Sequence, residues 1–512
     1  MAAQSSSANS NKESPMATAA ATQAPSSSVC DLRDWLKDVK RLEQLEQISG
    51  AHWNLEIGAL TEIILERLST PPAVVFDNVP GFDPGRRVLV NMLETLERTA
   101  LTLNLPLDLK IIPLIDALRA KLRAMQPVKA NVVKTGPIFE NVERGDQIDL
   151  TKFPVPFWHK GDGGRYLGTA HLVVTRDPET DVENVGCYRV MLQDKDKVGL
   201  YISPGKHGKM HYEKAMKAGK TFPVAMAFGQ HPLLYVASSQ AVPFGVNEYD
   251  WAGGLIGQPI DVIEGPITGL HFPANSEIVI EGEIVPGETM QEGPFGEWPG
   301  YYASANRPEP FVRVKALYYR NEPIICGAAP FKPTIHGMYR SCLRAATVWN
   351  GMEQAGVPDI KGVYLPPPAQ RFMIVVAIKQ RYPGHAKQAA LVACQCHAGA
   401  YLGRYVVVVD DDIDITDTNE VLWAICTRTD PALHMDLLRR TWSGPLDPII
   451  PPGQKGLNSR MIIEAVRPWE WRDKFPATSA ITDETRREYS TKWAKQLANV
   501  QARQAQARFR QD

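Results

Sequence analysis

The sequence predicts a mixed α/β (α+β) protein. Helical periodicities open the chain, strand-sized apolar runs with Gly/Pro punctuation fill its middle, and a strand–helix–strand order returns near the end. Asp31 is placed to cap a helix carrying Leu32, Trp35, Leu36, Val39, Leu42 and Leu45 on one face. A second helical pattern covers Glu56–Leu68 and stops before Pro71-Pro72. Ala73-Val-Val-Phe76 reads as a buried strand closed by the turn Asn78-Val-Pro-Gly81, and a third helical pattern follows over roughly 107–125. From about 130 to 325 the runs His171–Thr175, Tyr188–Leu192, Val224–Phe228, Ile278–Val285 and Phe311–Tyr319 predict a barrel-like sheet with inserted helices. Further on, strands at Phe372–Ile378 and Tyr405–Val409 flank an Ala-rich helix near 386–400. That order predicts a parallel pair with a right-handed crossover. The charged stretch Thr482–Arg510 reads as a long terminal helix, polar enough to lie across a partner subunit.

Composition narrows the function. With 512 residues the chain holds two or three domains at ~100–200 residues each. Lys+Arg of 56 against Asp+Glu of 57 removes the electrostatic case for nucleic acid or an anionic membrane. No apolar run approaches the ~20 residues that a bilayer span needs. Seven scattered cysteines suit reduced thiols of a cytoplasmic protein rather than a disulfide framework. The first 29 residues have neither the apolar stretch of a signal peptide nor the arginines of a transit peptide, and read as a disordered tail.

Four clusters carry possible chemistry. In Met290–Gly300, Glu292 and Glu297 bracket Gly-Pro-Phe-Gly, which is neither helix interior nor regular strand. Such a loop can aim two carboxylates into one cavity and split their pKa values, although Gly/Pro turns also carry exposed glutamates. In Asn184-Val-Gly-Cys-Tyr-Arg189, a single strand puts Asn184 and Arg189 on opposite faces unless Gly186 makes a bulge. Arg189 can pair with a substrate carboxylate, and Asn184 can offer a carbonyl oxygen to a hard metal; a surface arginine and a turn asparagine are the alternative. Ser203-Pro-Gly-Lys206-His207-Gly208 suits a phosphate, or a metal bridging to one, or a solvated turn. Ser238 and Ser239, leading to Gly245-Val-Asn-Glu248, bring hydroxyls and a carboxylate; Asn, His and Glu together make a mixed O/N site suited to Mn²⁺ or Mg²⁺. Asp410-Asp-Asp412 reads as an acidic turn after a strand. Neither nucleotide fingerprint, G-x-G-x-x-G or G-x-x-x-x-G-K-[ST], occurs where it would count.

Taken in order, these clusters resemble the UbiD family of prenylated-flavin decarboxylases, with support from Phe76–Gly81, Val409–Asp414 and Thr427–Asp430; the likeness spans roughly residues 30–475. The resemblance implies a catalytic set of Arg189, Glu292 and Glu297. It implies prenylated FMN held through Asn184, Lys206, His207, Ser238, Ser239 and Glu248, with Mn²⁺ on Asn184, His207 and Glu248 and K⁺ beside the two serines. It also implies a fold: a tail at 1–29, an N-terminal α/β segment at 30–130, and a split β-barrel flavin-binding domain at 131–330. A C-terminal α/β domain at 331–480, used to form a homodimer or higher homo-oligomer, and a helix at 481–512 complete it. The implied reaction is reversible, non-oxidative decarboxylation of an aromatic or α,β-unsaturated acid through a covalent prenylated-flavin adduct, the cofactor coming from a flavin prenyltransferase.

One departure bears on substrate. Relatives acting on cinnamic-type acids carry a phosphate-side lysine where this chain reads Cys396-His397-Ala-Gly399. The wording around Asp162–Tyr166 and Tyr201–His207 is closer to members acting on hydroxybenzoates (protocatechuate or gallate type) or heteroaromatic acids, and His336 is placed to meet a ring hydroxyl. The alternatives are a cinnamic-type decarboxylase, a flavin-binding protein without decarboxylase activity, and a flavin oxidoreductase.

Overall fold

The computed structural model describes residues 30–500 apart from 241, 243–244, 303–304, 333–336, 445, 452–453 and 455. The tail at 1–29, His336 and the last twelve positions of the expected terminal helix lie outside the described residues.

Asp31 caps the first helix, Leu32–Arg41, accepting from the Arg33 N–H at 2.7 Å, and Leu32, Trp35 and Val39 turn into the core. The expected face continues to Leu42 and Leu45, whereas the helix stops because Glu43 takes a left-handed backbone with φ +57°. Leu45 instead opens the strand Leu45–Ser49, parallel to Ala73–Asp77. This small sheet continues through Arg87–Val90 and borrows Ile324–Cys326 from the far end of the central segment. The helices Glu56–Arg67 and Ile111–Ala124 fall where periodicity puts them. A short helix at Leu96–Thr102 has no counterpart in that reading. Thr95 caps it, and buried Arg98 fastens its approach by donating to the carbonyls of Pro71, Asn91 and Met92.

The central strands form a ten-stranded sheet. Its main path runs Tyr166–Gly168, Val190–Asp194, Lys197–Leu200, Arg307–Tyr319, Ile278–Ile284, Phe222–Phe228, Leu172–Arg176 and Glu183–Gly186. Only Cys187, Tyr188 and Arg189 join the edge strand Glu183–Gly186 to Val190–Asp194, six places across the sheet. Six flat spacings of ~4.8 Å make ~29 Å, while four Cα steps reach at most ~15 Å. The sheet must therefore curl, and this short link is where its two sides meet. Alternation along Phe222–Phe228 builds the layers: Phe222, Val224, Met226 and Phe228 join one core cluster, and Ala225 and Ala227 face the cluster that contains the helix Pro232–Ser238.

The C-terminal sheet has five strands in the order Ile360–Tyr364, Met373–Ile378, Tyr405–Asp410, Leu457–Ala465 and Met435–Trp442. Met373–Ile378 and Tyr405–Asp410 pair in parallel as expected. The helix expected across 386–400 is two helices, His385–Gln395 and His397–Ala400, broken at extended Cys396. A Cβ at Gly399 would lie 1.8 Å from the Ala393 carbonyl oxygen, so glycine permits the second helix to fold back on the first. Asp410 and Asp412 both engage Arg428, and Asp412 also pairs with Arg467, which accounts for the acidic turn structurally. The terminal helix begins at its Thr482 cap and covers Asp483–Lys492; a turn at Trp493 interrupts it before helix resumes over 494–500. All seven cysteines are unpaired, with Cys326, Cys342 and Cys394 buried. Among the described residues no helix is long and apolar enough to cross a membrane.

Candidate functional site

The strand Thr289–Glu292 pairs with the start of Arg307–Tyr319, which fixes Glu292 at the end of a ladder. The chain then turns away through Gly293 (φ +80°), and a bond from the Glu297 N–H to the Tyr301 carbonyl at 2.9 Å closes the loop. Backbone passes very close here: a Cβ at Gly163 would meet the Gly293 carbonyl oxygen at 1.9 Å. The Gly163 N–H also donates to the Pro294 carbonyl at 2.7 Å. The loop thus does what the sequence allows, holding both carboxylates in one place.

Arg189 joins them. Its Nε and Nη2 donate to the two Glu292 oxygens at 2.8 and 2.7 Å, and its Nη1 donates to Glu297 Oε1 at 3.2 Å. Tyr166 adds a hydroxyl donated to Glu292 Oε1 at 3.1 Å. The Tyr201 ring lies under two guanidinium groups, 4.5 Å from Arg189 and 4.4 Å from Arg307. Burial works against the charge of Arg189, but its bonds to Glu292 and the negative charges of both glutamates raise its pKa, so it stays a cation. Burial, with the charge of Glu292 adding and Arg189 opposing, pushes the Glu297 carboxyl up to about 7. One carboxylate is locked in a bidentate pair; the other is poised to carry a proton near neutrality.

Asn184 and Arg189 do not share a strand, so neither strand alternation nor a bulge at Gly186 is what relates them. Asn184 sits in the edge strand, and at Cys187 the backbone leaves the ladder, its N–H donating to the Ser238 carbonyl at 3.2 Å. The chain crosses to the other side of the curled sheet before Arg189. Tyr188 fills the crossing, its ring so close to Gly186 and Gly208 that a Cβ there would lie 2.2 and 2.7 Å from ring carbons. The Tyr188 hydroxyl accepts from Asn184 Nδ2 at 3.0 Å and from the Gly208 N–H at 3.3 Å. That commits the Asn184 nitrogen and leaves its carbonyl oxygen to offer a ligand.

Glu248 begins the helix Glu248–Ile256, capped by Asn247, and its Oε2 accepts from the Val185 N–H at 2.9 Å. It therefore stands beside Asn184. Burial, with no neighbouring cation among the described residues, pushes its carboxyl up to about 7. His207 opens the helix His207–Lys217 after the loop carrying Lys206, and both line the same cavity as Asn184 and Glu248. Among the described residues no group of three His, Cys, Asp and Glu side chains is close enough to hold a metal; the Asn–His–Glu set contains only two of those types. An amide oxygen, an imidazole and a buried carboxylate lacking a counter-charge form a donor set that fits a hard divalent ion. Ser238 and Ser239 donate their hydroxyls back to the carbonyls of Tyr235 and Val236, each at 3.0 Å. Their lone pairs, rather than their hydrogens, then face outward, which suits a cation.

The cavity that these residues share is about 730 Å³, and Arg189, Glu297, Asn184, Glu248, Ser238 and His207 all border it. His397, in the stretch where cinnamic-type relatives carry a phosphate-side lysine, is also on its wall. Sequence reasoning missed Tyr188, Tyr201 and three arginines of the C-terminal segment, Arg340, Arg344 and Arg371, on the same cavity. Tyr188 and Tyr201 lie within stretches already singled out; for Arg340 and Arg344 the only signal was their i, i+4 spacing, which also marks ordinary surface helices, and Arg371 had none.

Three family models match consecutive stretches of the chain: the 3-octaprenyl-4-hydroxybenzoate carboxy-lyase N-terminal domain (36–118), Rift-related domain (131–333) and C-terminal domain (338–465). Pyrrole-2-carboxylic acid decarboxylase of Pseudomonas aeruginosa is 33% identical over 475 residues, 88% of this chain and 94% of that protein. The UbiD-class enzyme HmfF from Pelotomaculum thermopropionicum, solved with FMN, is 30% identical with a TM-score of 0.77, covering 88% of this chain and 97% of that one. The open form of vanillic acid decarboxylase from Sedimentibacter hydroxybenzoicus is 28% identical with a TM-score of 0.79, covering 91% and 99%. With three successive models over most of its length and a curated relative matched almost end to end, the chain belongs to the UbiD family of carboxy-lyases.

Proposed function

We propose that this protein is a prenylated-FMN-dependent decarboxylase that reversibly releases CO₂, without net oxidation, from an aromatic or α,β-unsaturated acid. A hydroxybenzoate or a heteroaromatic acid is the favoured substrate. The observation that carries this reading is the buried Arg189–Glu292–Glu297 array on a cavity of about 730 Å³, a size suited to a cofactor-scale ligand. Relatives named for pyrrole-2-carboxylic and vanillic acids, and an HmfF form solved with prFMN, support the substrate class and the cofactor.

When bound, the prenylated flavin supplies the electron sink that a bare carboxylate lacks. Asn184, His207 and Glu248 would hold Mn²⁺, and the outward lone pairs of Ser238 and Ser239 would meet K⁺. Glu292 keeps Arg189 in one rotamer. A protonated Glu297 loses its attraction for Nη1 of Arg189, and the substrate carboxylate takes that hydrogen bond in its place. Glu297 then delivers its proton to the carbon that loses CO₂. A cytoplasmic homodimer or higher homo-oligomer belongs to the same reading. It is supported by a dimeric form of HmfF and by exposed Leu437 and Trp442 on the edge strand Met435–Trp442. The division at 130, 330 and 480 is carried forward as the working domain organisation.

The test is protein co-expressed with a flavin prenyltransferase, with absorbance and mass of the bound flavin and CO₂ release from a panel of acids. Bound prenylated flavin with turnover of hydroxybenzoates or heteroaromatic acids is expected. A fully loaded protein that decarboxylates none of the panel would overturn the reading.

A further inference from the structure

Arg340 and Arg344 stand at i and i+4 on the helix Met338–Gln354, and Arg371 faces them from the turn Gln370–Phe372; all three border the cavity. Like charges at this helical spacing repel each other. Among the described residues no carboxylate pairs with any of the three. Arg340 donates to the hydroxyls of Tyr339 and Tyr235 at 2.6 and 2.8 Å, and Arg344 Nη2 donates to the Tyr401 carbonyl at 2.8 Å. The Arg344 Nε is buried without a hydrogen-bond partner. Among the described residues Arg371 meets the rings of Tyr401 and Trp298, at 5.5 and 5.9 Å. Burial, and then the charge of a neighbouring arginine, lowers the pKa of both Arg344 and Arg371. Three buried cations facing one cavity, with only neutral partners among the described residues, are stable together when an anion occupies that cavity.

Location and charge identify the anion. Arg340 reaches Tyr235 on the helix Pro232–Ser238, whose last residue accepts from Cys187 beside Asn184. Arg340 therefore stands beside the wall that carries Asn184 and Ser238, with Arg344 and Arg371 on the same cavity. The substrate carboxylate is already matched to Arg189, and a monoanion offsets one guanidinium rather than three. A phosphate dianion, with oxygens for several guanidinium donors, fits this surplus.

We propose that Arg340, Arg344 and Arg371 form the phosphate-binding wall of the cavity and take the phosphomonoester of the flavin mononucleotide, so that the C-terminal segment grips the cofactor. This rests on the flavin reading above. The test uses the full chain freed of flavin and titrated separately with FMN and riboflavin, following flavin fluorescence. The parent is expected to prefer FMN. Arg344→Gln and Arg371→Gln should each weaken FMN about 10–100-fold while leaving riboflavin unchanged, with Arg344→Lys recovering part of the loss. FMN and riboflavin weakened equally would make the arginines merely structural and overturn the assignment. Undiminished preference for FMN in both variants would overturn it as well. A parent that binds neither flavin would sink the flavin reading itself, and the phosphate wall with it.

Discussion

The two walls of the cavity handle charge in opposite ways. On the barrel side, Arg189 is bonded to Glu292 and Glu297. On the C-terminal side, Arg340, Arg344 and Arg371 have only hydroxyl, carbonyl and ring partners among the described residues. A self-compensated cluster keeps its geometry through its own bonds, as chemistry at a fixed point requires. An uncompensated one stores unfavourable charge that a ligand relieves, as binding requires. Glu248 is the mirror image of the arginines, a buried carboxylate without a cation among the described residues. On the proposed reading, one wall meets an anion, Glu248 and its neighbours meet a metal, and the paired cluster is the place of reaction.

The predictions separate these roles, and the largest effect concerns the cofactor. Protein produced without prenylated flavin should fold, by circular dichroism, yet release no CO₂; robust turnover by cofactor-free protein would break the scheme. Next, Arg189→Lys replaces a fork that spans both Glu292 oxygens with a single point charge, and should lower kcat/KM by ~10²-fold with flavin content intact. If the flavin is lost instead, Arg189 belongs with the binding wall. Glu248→Ala should lower bound Mn²⁺ and flavin several-fold, with activity falling in proportion to occupancy. Full metal and flavin content in the purified variant would remove Glu248 from the ligand set.

The smallest effect follows from the pKa of Glu297. Because its folded value, about 7, exceeds the ordinary value of 4.5, the folded protein holds this proton more tightly than the unfolded chain. The stability contribution is complete below about pH 4.5 and is lost as pH rises through about 7. Glu297→Gln should therefore raise Tm by ~2 °C at pH 8 and leave it unchanged at pH 4. The same titration makes the turnover of the parent fall above about pH 7, as the proton donor ionises.

The paired wall was far more legible in the sequence than the unpaired one. Glu292 and Glu297 are five residues apart around Gly293 and Pro294, so local chain chemistry alone restricts where they point. The order of the four clusters added Arg189, whose partners no local rule supplies. Its relation to Asn184 was not legible, because it depends on a sheet that curls until three residues join positions six strands apart. Arg371 is 182 positions beyond Arg189, and nothing near it distinguishes a cavity arginine from a surface one. Within the fold, periodicity located helices and strands well and failed where single residues act: Glu43 with its left-handed backbone, Cys396 at a break, and Thr95 as the cap of a helix too short to show a period.

The central claim is that Glu297 supplies the proton that replaces CO₂, and solvent-deuterium incorporation tests it most directly. Parent, Glu297→Asp and Glu297→Gln, each loaded with prenylated flavin, are given the same acid in deuterated buffer, and the product is assayed for deuterium at the carbon that lost its carboxylate. Aspartate keeps the acid but draws it back by one methylene, a displacement of about 1 Å that costs ~10²-fold. Glutamine keeps the shape and loses the acid. Turnover and deuteration should fall together, partly in Glu297→Asp and almost completely in Glu297→Gln, with flavin content unchanged in both. Decarboxylation and deuteration by Glu297→Gln at the parental rate would contradict the account and place the proton donor elsewhere.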